Sequence, residues 1–225
     1  MDNENSRLER KHFLRKLTGL VLIYLSLGFG VILANSRKWR VWEFEGRINT
    51  IMFIGLWKVL CIHTFNISTV AAQTVKEHTL NETWVIPNAI TYGQDLILLA
   101  NFMKLLVLVF AMLAYLVSMS KDTYPHFCRF MYKICSIFIL LSSFCTLGTA
   151  IWNFIDDKFG TTFEFPLNFT IRKEDLTHKR SSYAFPLAII TAFLSVISAL
   201  NFLYDQYLLN PRFKVKPLDE HEMSE

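Results

Sequence analysis

Charge is scarce in this chain of 225 residues. Asp, Glu, Lys and Arg supply 19% of it against 52% apolar types, and the mean hydropathy is +0.31. A soluble domain carries about 25% charged residues, so a water-soluble single core is excluded. The basic residues are scattered and the net charge is only +4, which argues against a nucleic-acid-binding face. Cysteine is scarce too, at 4 residues with none closely spaced, so the chain is no secreted disulfide scaffold. A Gly-rich phosphate loop, His-Glu-x-x-His and Cys-x-x-Cys are all missing. The 6 histidines (His12, His63, His78, His126, His178, His221) are far apart and lie outside the apolar runs. Each reads as a surface residue. These gaps argue against an enzyme and predict no catalytic, cofactor-binding or metal-binding set. The aromatic content, with 20 phenylalanines, excludes disorder over most of the chain.

What the chain has is long apolar runs. A bilayer core of about 30 Å takes about 20 apolar residues in helix, and four segments qualify. Leu17–Ala34 and Ala184–Tyr204 are uncharged, Leu96–Met119 holds only Lys104, and Met131–Ile151 holds Lys133 at its edge. A fifth run, Ile48–Ile62, is short, contains Gly55 and Lys58, and is rich in β-branched and aromatic types. It reads as strands outside the membrane.

Four spans place both termini on one side. The raw Lys and Arg count does not choose that side, with 11 on each. The positive-inside rule weights short loops and helix ends, and Arg7, Arg10, Lys11, Arg15 and Lys16 crowd the first span. The three N-glycosylation sequons, at Asn66, Asn81 and Asn168, all fall in the loops that this places outside. The first span reads as uncleaved, because the residues after Ala34 offer no small-x-small site. The expected order is a cytosolic N-terminus (1–16), first span (17–34), β-rich extracellular loop (35–95), second span (96–119), cytosolic loop (120–130), third span (131–155), second extracellular loop (156–183), fourth span (184–204) and cytosolic tail (205–225). The expected fold is mainly α: a four-helix transmembrane bundle with a small extracellular antiparallel β-sheet.

Small residues at four-residue spacing, Ala188/Ala192, Ser195/Ala199, Ser26/Gly30 and Cys145/Thr149 beside Gly148, read as helix contacts inside the bundle. Lys104 is the one intramembrane charge, with Asn101 on the same helical face. Such an ion is a functional candidate. No acidic residue lies deep in another span to make a relay, so Lys104 is expected to snorkel outward or to bond Asn101 and backbone carbonyls. Cys128 reads as a free thiol in preference to a site of reversible palmitoylation, and Cys135 and Cys145 as packing residues. In the first loop, Trp42 and Phe44 alternate with Glu43 and Glu45, a strand signal. Ile51–Ile62 supplies a further strand or two, and Trp84–Ile86 a short last one. Cys61 has no outer partner and is expected to be a buried thiol in preference to an intermolecular link.

At the level of motifs the chain resembles the claudin family over nearly its whole length. Trp39-Arg40-Val41 follows the first span, Gly55-Leu56-Trp57 and Cys61 come next, and Trp152 leads into Asp156-Asp157-Lys158-Phe159. The chain departs from the family in lacking the second loop cysteine of a sheet disulfide, the basic residue before the second span, and a C-terminal PDZ-binding motif. It resembles an atypical member.

The resemblance implies a structural and adhesive role at the plasma membrane, in cell–cell (tight) junctions. The implied partners are the lipid bilayer and other claudin-like chains, in homo- or hetero-oligomers. It implies that Trp39, Gly55, Leu56 and Trp57 anchor the sheet on the bilayer, and that Ile62–Phe65 lies where the family lines its pore. Residues 35–90 hold six basic and four acidic side chains, and 156–183 hold five of each, so strong cation selectivity is not indicated. The alternative is an auxiliary subunit or chaperone of a channel or receptor. A stand-alone transporter is disfavoured by the lack of buried charge, and tetraspanin and connexin readings by the lack of clustered loop cysteines.

Overall fold

The computed structural model describes residues 2–45, 49–67, 70–80, 84–119, 125–160, 163–166, 169, 171 and 173–209. Four helices form where the apolar runs lie, and each runs past its apolar stretch: α1 (Asp2–Asn35), α2 (Asn88–Met119), α3 (Pro125–Phe159) and α4 (Ala184–Leu209). All four are long and apolar enough to cross a membrane. Prolines sit where a helix tolerates them, Pro125 at the start of α3 and Pro186 in the first turn of α4. The Ser182 hydroxyl accepts from the Ala184 N–H ahead of α4. Gly160 ends α3, donating to the Asp156 carbonyl at 2.7 Å.

Hydroxyls hold the bundle together. Ser26 on α1 bonds Ser195 of α4 at 2.6 Å. Ser198 donates to the Gly19 carbonyl at 2.9 Å, Ser142 to the Ala100 carbonyl at 3.0 Å and Ser143 to the Ala192 carbonyl at 3.1 Å. Such interhelical bonds contribute about 0.6 kcal/mol each in lipid. The small residues Gly30, Ala188, Ala192, Ser195 and Ala199 all face the bundle interior. Gly148 does not: it is exposed, with open space where a side chain would stand.

Above one end of the bundle lies a five-stranded antiparallel sheet in the order β4-β3-β2-β1-β5. Its strands are β1 (Arg40–Phe44), β2 (Asn49–Ile54), β3 (Lys58–Ile67), β4 (Val70–Thr79) and β5 (Leu176–Ser181). The fifth apolar run is indeed strand, paired as β2 on β3 with Met52 opposite Cys61. β1 buries Trp42 and Phe44, as the alternation requires. Two strands carry no apolar alternation and were not anticipated. β4 exposes Ala72 through Glu77, and β5 brings the second loop into the first loop's sheet by pairing with β1. Trp84–Ile86 is not a strand. It makes one bridge, Val85 to Glu164, because Pro87 at once turns the chain into α2.

The interior divides into two apolar clusters. One joins the sheet to the near end of the bundle and includes Leu33, Trp42, Leu56 and Ile97. The other fills the far end, with Ile23, Val107, Ile139 and Phe202. Between them runs a buried polar belt that includes Ser26, Lys104, Ser142, Ser143, Thr191 and Ser195.

Candidate functional site

The sheet-to-bundle junction gathers most of the motif residues. An α-helix leaves its last carbonyls without intrahelical donors, and two indoles supply them for α1. Trp39 Nε1 donates to the Leu33 carbonyl at 3.0 Å, and Trp57 Nε1 to the Ala34 carbonyl at 3.1 Å. Gly55 makes the turn between β2 and β3 fit over this helix end. A Cβ there would lie 2.7 Å from the Ser36 carbonyl oxygen and 2.9 Å from the Arg37 Cα. Leu56 is fully buried, and its carbonyl accepts from Gln94 Nε2 at 2.5 Å. Val41 is half-buried on β1 and pairs with Phe53.

Arg40 is 2% exposed. Its Nη2 lies 3.0 Å from Asp156 Oδ2 and donates to Asn153 Oδ1 at 3.1 Å. Burial pulls its pKa down, while Asp156 and Asp157 pull it back up. Next to it, Trp42 Nε1 donates to Asp157 Oδ1 at 2.7 Å, and Lys179 on β5 donates to the Asp157 carbonyl at 2.7 Å. Asn153 donates onward to the Ala89 carbonyl of α2. This latch ties β1 and β5 to the last turns of α3 and the first turn of α2. Arg40 and Asp156-Asp157 lie far apart in the sequence, and nothing local to either shows that they pair.

Beside the latch stands an aromatic box that was not expected from the sequence. Trp42 meets Phe163 edge-on at 5.4 Å, Trp84 meets Phe169 at 5.1 Å, and Phe165 stacks on Phe169 at 5.2 Å. The alternating Phe163-Glu164-Phe165 was the available signal. Trp57, by contrast, is 37% exposed. Trp39 is 8% exposed and belongs to the same buried cluster as Trp42 and Trp84, whereas Trp57 lies at the rim with its N–H bonded to the Ala34 carbonyl.

On β3, Cys61 is a fully buried free thiol, pushed up to about 11 by burial. It is unreactive as it stands. His63 is not the surface residue expected. It is 9% exposed, with Nδ1 2.9 Å from Thr50 Oγ1. Period-two geometry turns it to the same face as Cys61, and burial lowers its pKa, helped by Lys76 and His78. Asn66 lies near the end of β3, opposite Ala71, with its side chain outside the described atoms. Asn81, Asn168 and the tail from 210 lie outside the described residues.

Lys104 does not snorkel. It is fully buried, and Nζ has no hydrogen-bond partner among the described residues. It does not bond Asn101 either, whose Nδ2 donates to the Gly30 carbonyl at 3.0 Å and whose Oδ1 is buried without a partner. The missing side chain of Gly30 makes the room: a Cβ there would touch Asn101 Oδ1 and lie 3.4 Å from Lys104 Nζ. Among the described residues, no three His, Cys, Asp or Glu side chains group to hold a metal ion. Cys128 is buried, with Sγ 3.6 Å from the Ala114 carbonyl oxygen.

A membrane-spanning bundle with a sheet clamped to one end is the class that fold and junction define. No protein-family model matches the chain, and no curated protein matches it at a significant level.

Proposed function

We propose that this chain is a claudin-like structural and adhesion protein of the plasma membrane, with its termini in the cytosol and its sheet facing a neighbouring cell. The observation that carries the reading is the junction. The Trp39 and Trp57 caps, the close fit of Gly55 and the Arg40–Asp156 latch hold a rigid sheet at a fixed height over four apolar helices. A flexible loop would serve a ligand-gated or catalytic role as well; a clamped sheet suits contact between surfaces. The chemistry is mechanical, and it requires no reacting group.

A second reading, an auxiliary subunit of a channel or receptor, is favoured by the place of Asn66. This sequon stands near the end of β3 next to the β3–β4 connection, and a glycan there is bulky and hydrated. It would keep opposed sheets apart while leaving lateral contacts in one membrane free. Expression of the tagged protein in cells without junctions separates the two. Concentration along contact lines supports adhesion. Diffuse staining that sharpens only with a co-expressed partner sinks it in favour of the subunit reading. Digestion of either terminal tag by protease added outside intact cells would refute the orientation itself.

A further inference from the structure

α1 begins at Asp2, well before its apolar run. Its lipid-facing stripe of Leu14, Leu17, Val21 and Leu25 is exposed. Steps of three and four residues carry this stripe on toward the N-terminus through Lys11, Arg10 and Arg7, and all three are exposed. The other two cations of this stem are occupied. Arg15 lies over the Tyr204 ring at 4.4 Å, and Lys16 donates to Ser118 Oγ at 2.8 Å. Among the described residues, no ion pair holds Arg7, Arg10 or Lys11. The stem has three acids, Asp2, Glu4 and Glu9. Asp2 and Glu9 fall about 140° or more around the helix from Arg7 and Lys11, which leaves Glu4 alone on the cationic side.

We propose that this face binds a phosphorylated inositol phospholipid of the cytosolic leaflet. The heights of the cations single out that headgroup. Counted from Leu14, the last apolar residue on the stripe, Lys11, Arg10 and Arg7 stand about 4.5, 6 and 10.5 Å along the axis. The headgroup layer on one side of a bilayer is about 5–7 Å deep. Lys11 and Arg10 thus stand at the level of the phosphate that joins glycerol to its headgroup, and Arg7 stands beyond the layer. Phosphatidylserine and phosphatidylglycerol put no phosphate that far out. A phosphorylated inositol ring does. Its diester phosphate lies in the layer, its monoester phosphates project above it, and a guanidinium pairs with such a phosphate through two parallel hydrogen bonds. No groove is needed, because the acyl chains stay in the bilayer against Leu14 and Leu17. The side fits too, since the cytosolic leaflet is the anionic one and attracts basic segments next to a span. The choice of leaflet rests on the cytosolic orientation proposed above; the binding face does not.

The test uses purified full-length protein in detergent micelles, read by native mass spectrometry. Dioleoyl phosphatidylinositol 4,5-bisphosphate, dioleoylphosphatidylserine or soluble inositol 1,4,5-trisphosphate is added. The expected result is one retained bisphosphate lipid, held at least about tenfold more tightly than phosphatidylserine and released as salt is raised. Each cation near an anionic surface contributes about a fivefold factor. The triple variant Arg7→Gln, Arg10→Gln, Lys11→Gln should therefore weaken retention about a hundredfold. Arg7→Gln alone should narrow the preference over phosphatidylserine. Arg180→Gln removes an exposed cation from the sheet and should change nothing. Equal retention of the two lipids, a triple variant that binds like the wild type, or binding of the trisphosphate without the lipid would overturn the proposal. So would retention that emerges only after residues 218–225 are removed, because the acidic end of the chain would then be the occupant of the face. Micelles have no sides, so retention in them tests the face by itself. Digestion of an N-terminal tag from outside intact cells would overturn the leaflet, whatever the micelles retain.

Discussion

The latch offers the sharpest test of how sheet and bundle are joined. Arg40 is buried to 2% exposure, and Asp156 keeps 19%. Opposite charges 4 Å apart attract by about 4 kcal/mol at a near-surface effective dielectric, and the 3.0 Å pair does somewhat better before its desolvation cost is counted. Arg40→Met removes the ion pair and the Asn153 bond, and leaves Asp156 facing an apolar side chain. Breaking one side of such a buried pair costs about 3–5 kcal/mol. The partial exposure of Asp156 places the loss at the lower end. Asp156→Asn should be the more damaging change, because it strands a guanidinium that water cannot reach. The double variant Arg40→Met with Asp156→Asn removes both charges together. It should therefore recover at least about 2 kcal/mol relative to the sum of the single losses, as directly coupled neighbours do. The assay is reversible unfolding in mixed micelles, followed by tryptophan fluorescence, since Trp42 sits on the latch through Asp157. Additivity of the two single changes to within about 0.5 kcal/mol would refute the pairing as the element that couples sheet to bundle.

Three further outcomes follow from the same junction. Trp84→Ala should cost about 3–5 kcal/mol, because Trp84 is 7% exposed at the centre of the aromatic box, while Trp57→Ala, at 37% exposed, should cost about 1–2 kcal/mol; surface expression of the two variants side by side checks the order. Gly55→Ala places a methyl within 3.0 Å of backbone atoms of Ser36, Arg37 and Lys58 and should cost about 1–3 kcal/mol in strain, read as a lower melting temperature. His63 has a folded pKa below its ordinary value, so the unfolded chain binds the extra proton first as pH falls. Its contribution is complete above about pH 6.5 and is lost as pH drops through the folded value. Melting curves at pH 7.5 and 5.0 should show that acid loss in the wild type and a smaller one in His63→Gln; an identical loss in both would remove His63 from the account.

The bundle was legible because lipid imposes a simple rule. Each span needs an unbroken apolar run to satisfy its backbone internally, and Leu17–Ala34 or Ala184–Tyr204 can meet that need in no other way. β1 was legible for the same kind of reason, since one face is buried and Trp42 and Phe44 alternate with acids. β4 and β5 hid because they are the two edges of the sheet. Residues such as Gln73, Lys76 and Lys179 gain little from an apolar face there, and backbone pairing carries the strand. The latch hid for a different reason. Arg40 and Asn153 are 113 residues apart, and nothing local to either announces the other. Lys104 was misplaced because snorkelling presumes a lipid-facing helix surface. Its face of α2 turns instead toward Gly30 on α1, and a glycine's missing side chain is silent about what fills the space.

The unpaired Cys61 is where the resemblance and the physics meet. The resemblance leads to an expected sheet disulfide, which would stabilise by about 2–4 kcal/mol, and this chain has a single thiol there. The aromatic box is large enough to take its place. Trp42, Phe44, Trp84, Phe163, Phe165 and Phe169 form nine ring pairs. Even at about 0.5 kcal/mol a pair beyond simple burial, they contribute about 4 kcal/mol. They join β1, the segment leading into α2, and the second loop between α3 and β5. A covalent staple within the first loop would leave the second loop free. The box draws Phe163, Phe165 and Phe169 of that loop under the sheet, beside the strand β5 that the same loop adds to its edge. The absence of a second cysteine thus goes with a sheet built from both loops and closed by aromatic packing, and Cys61 remains in its interior as an apolar side chain.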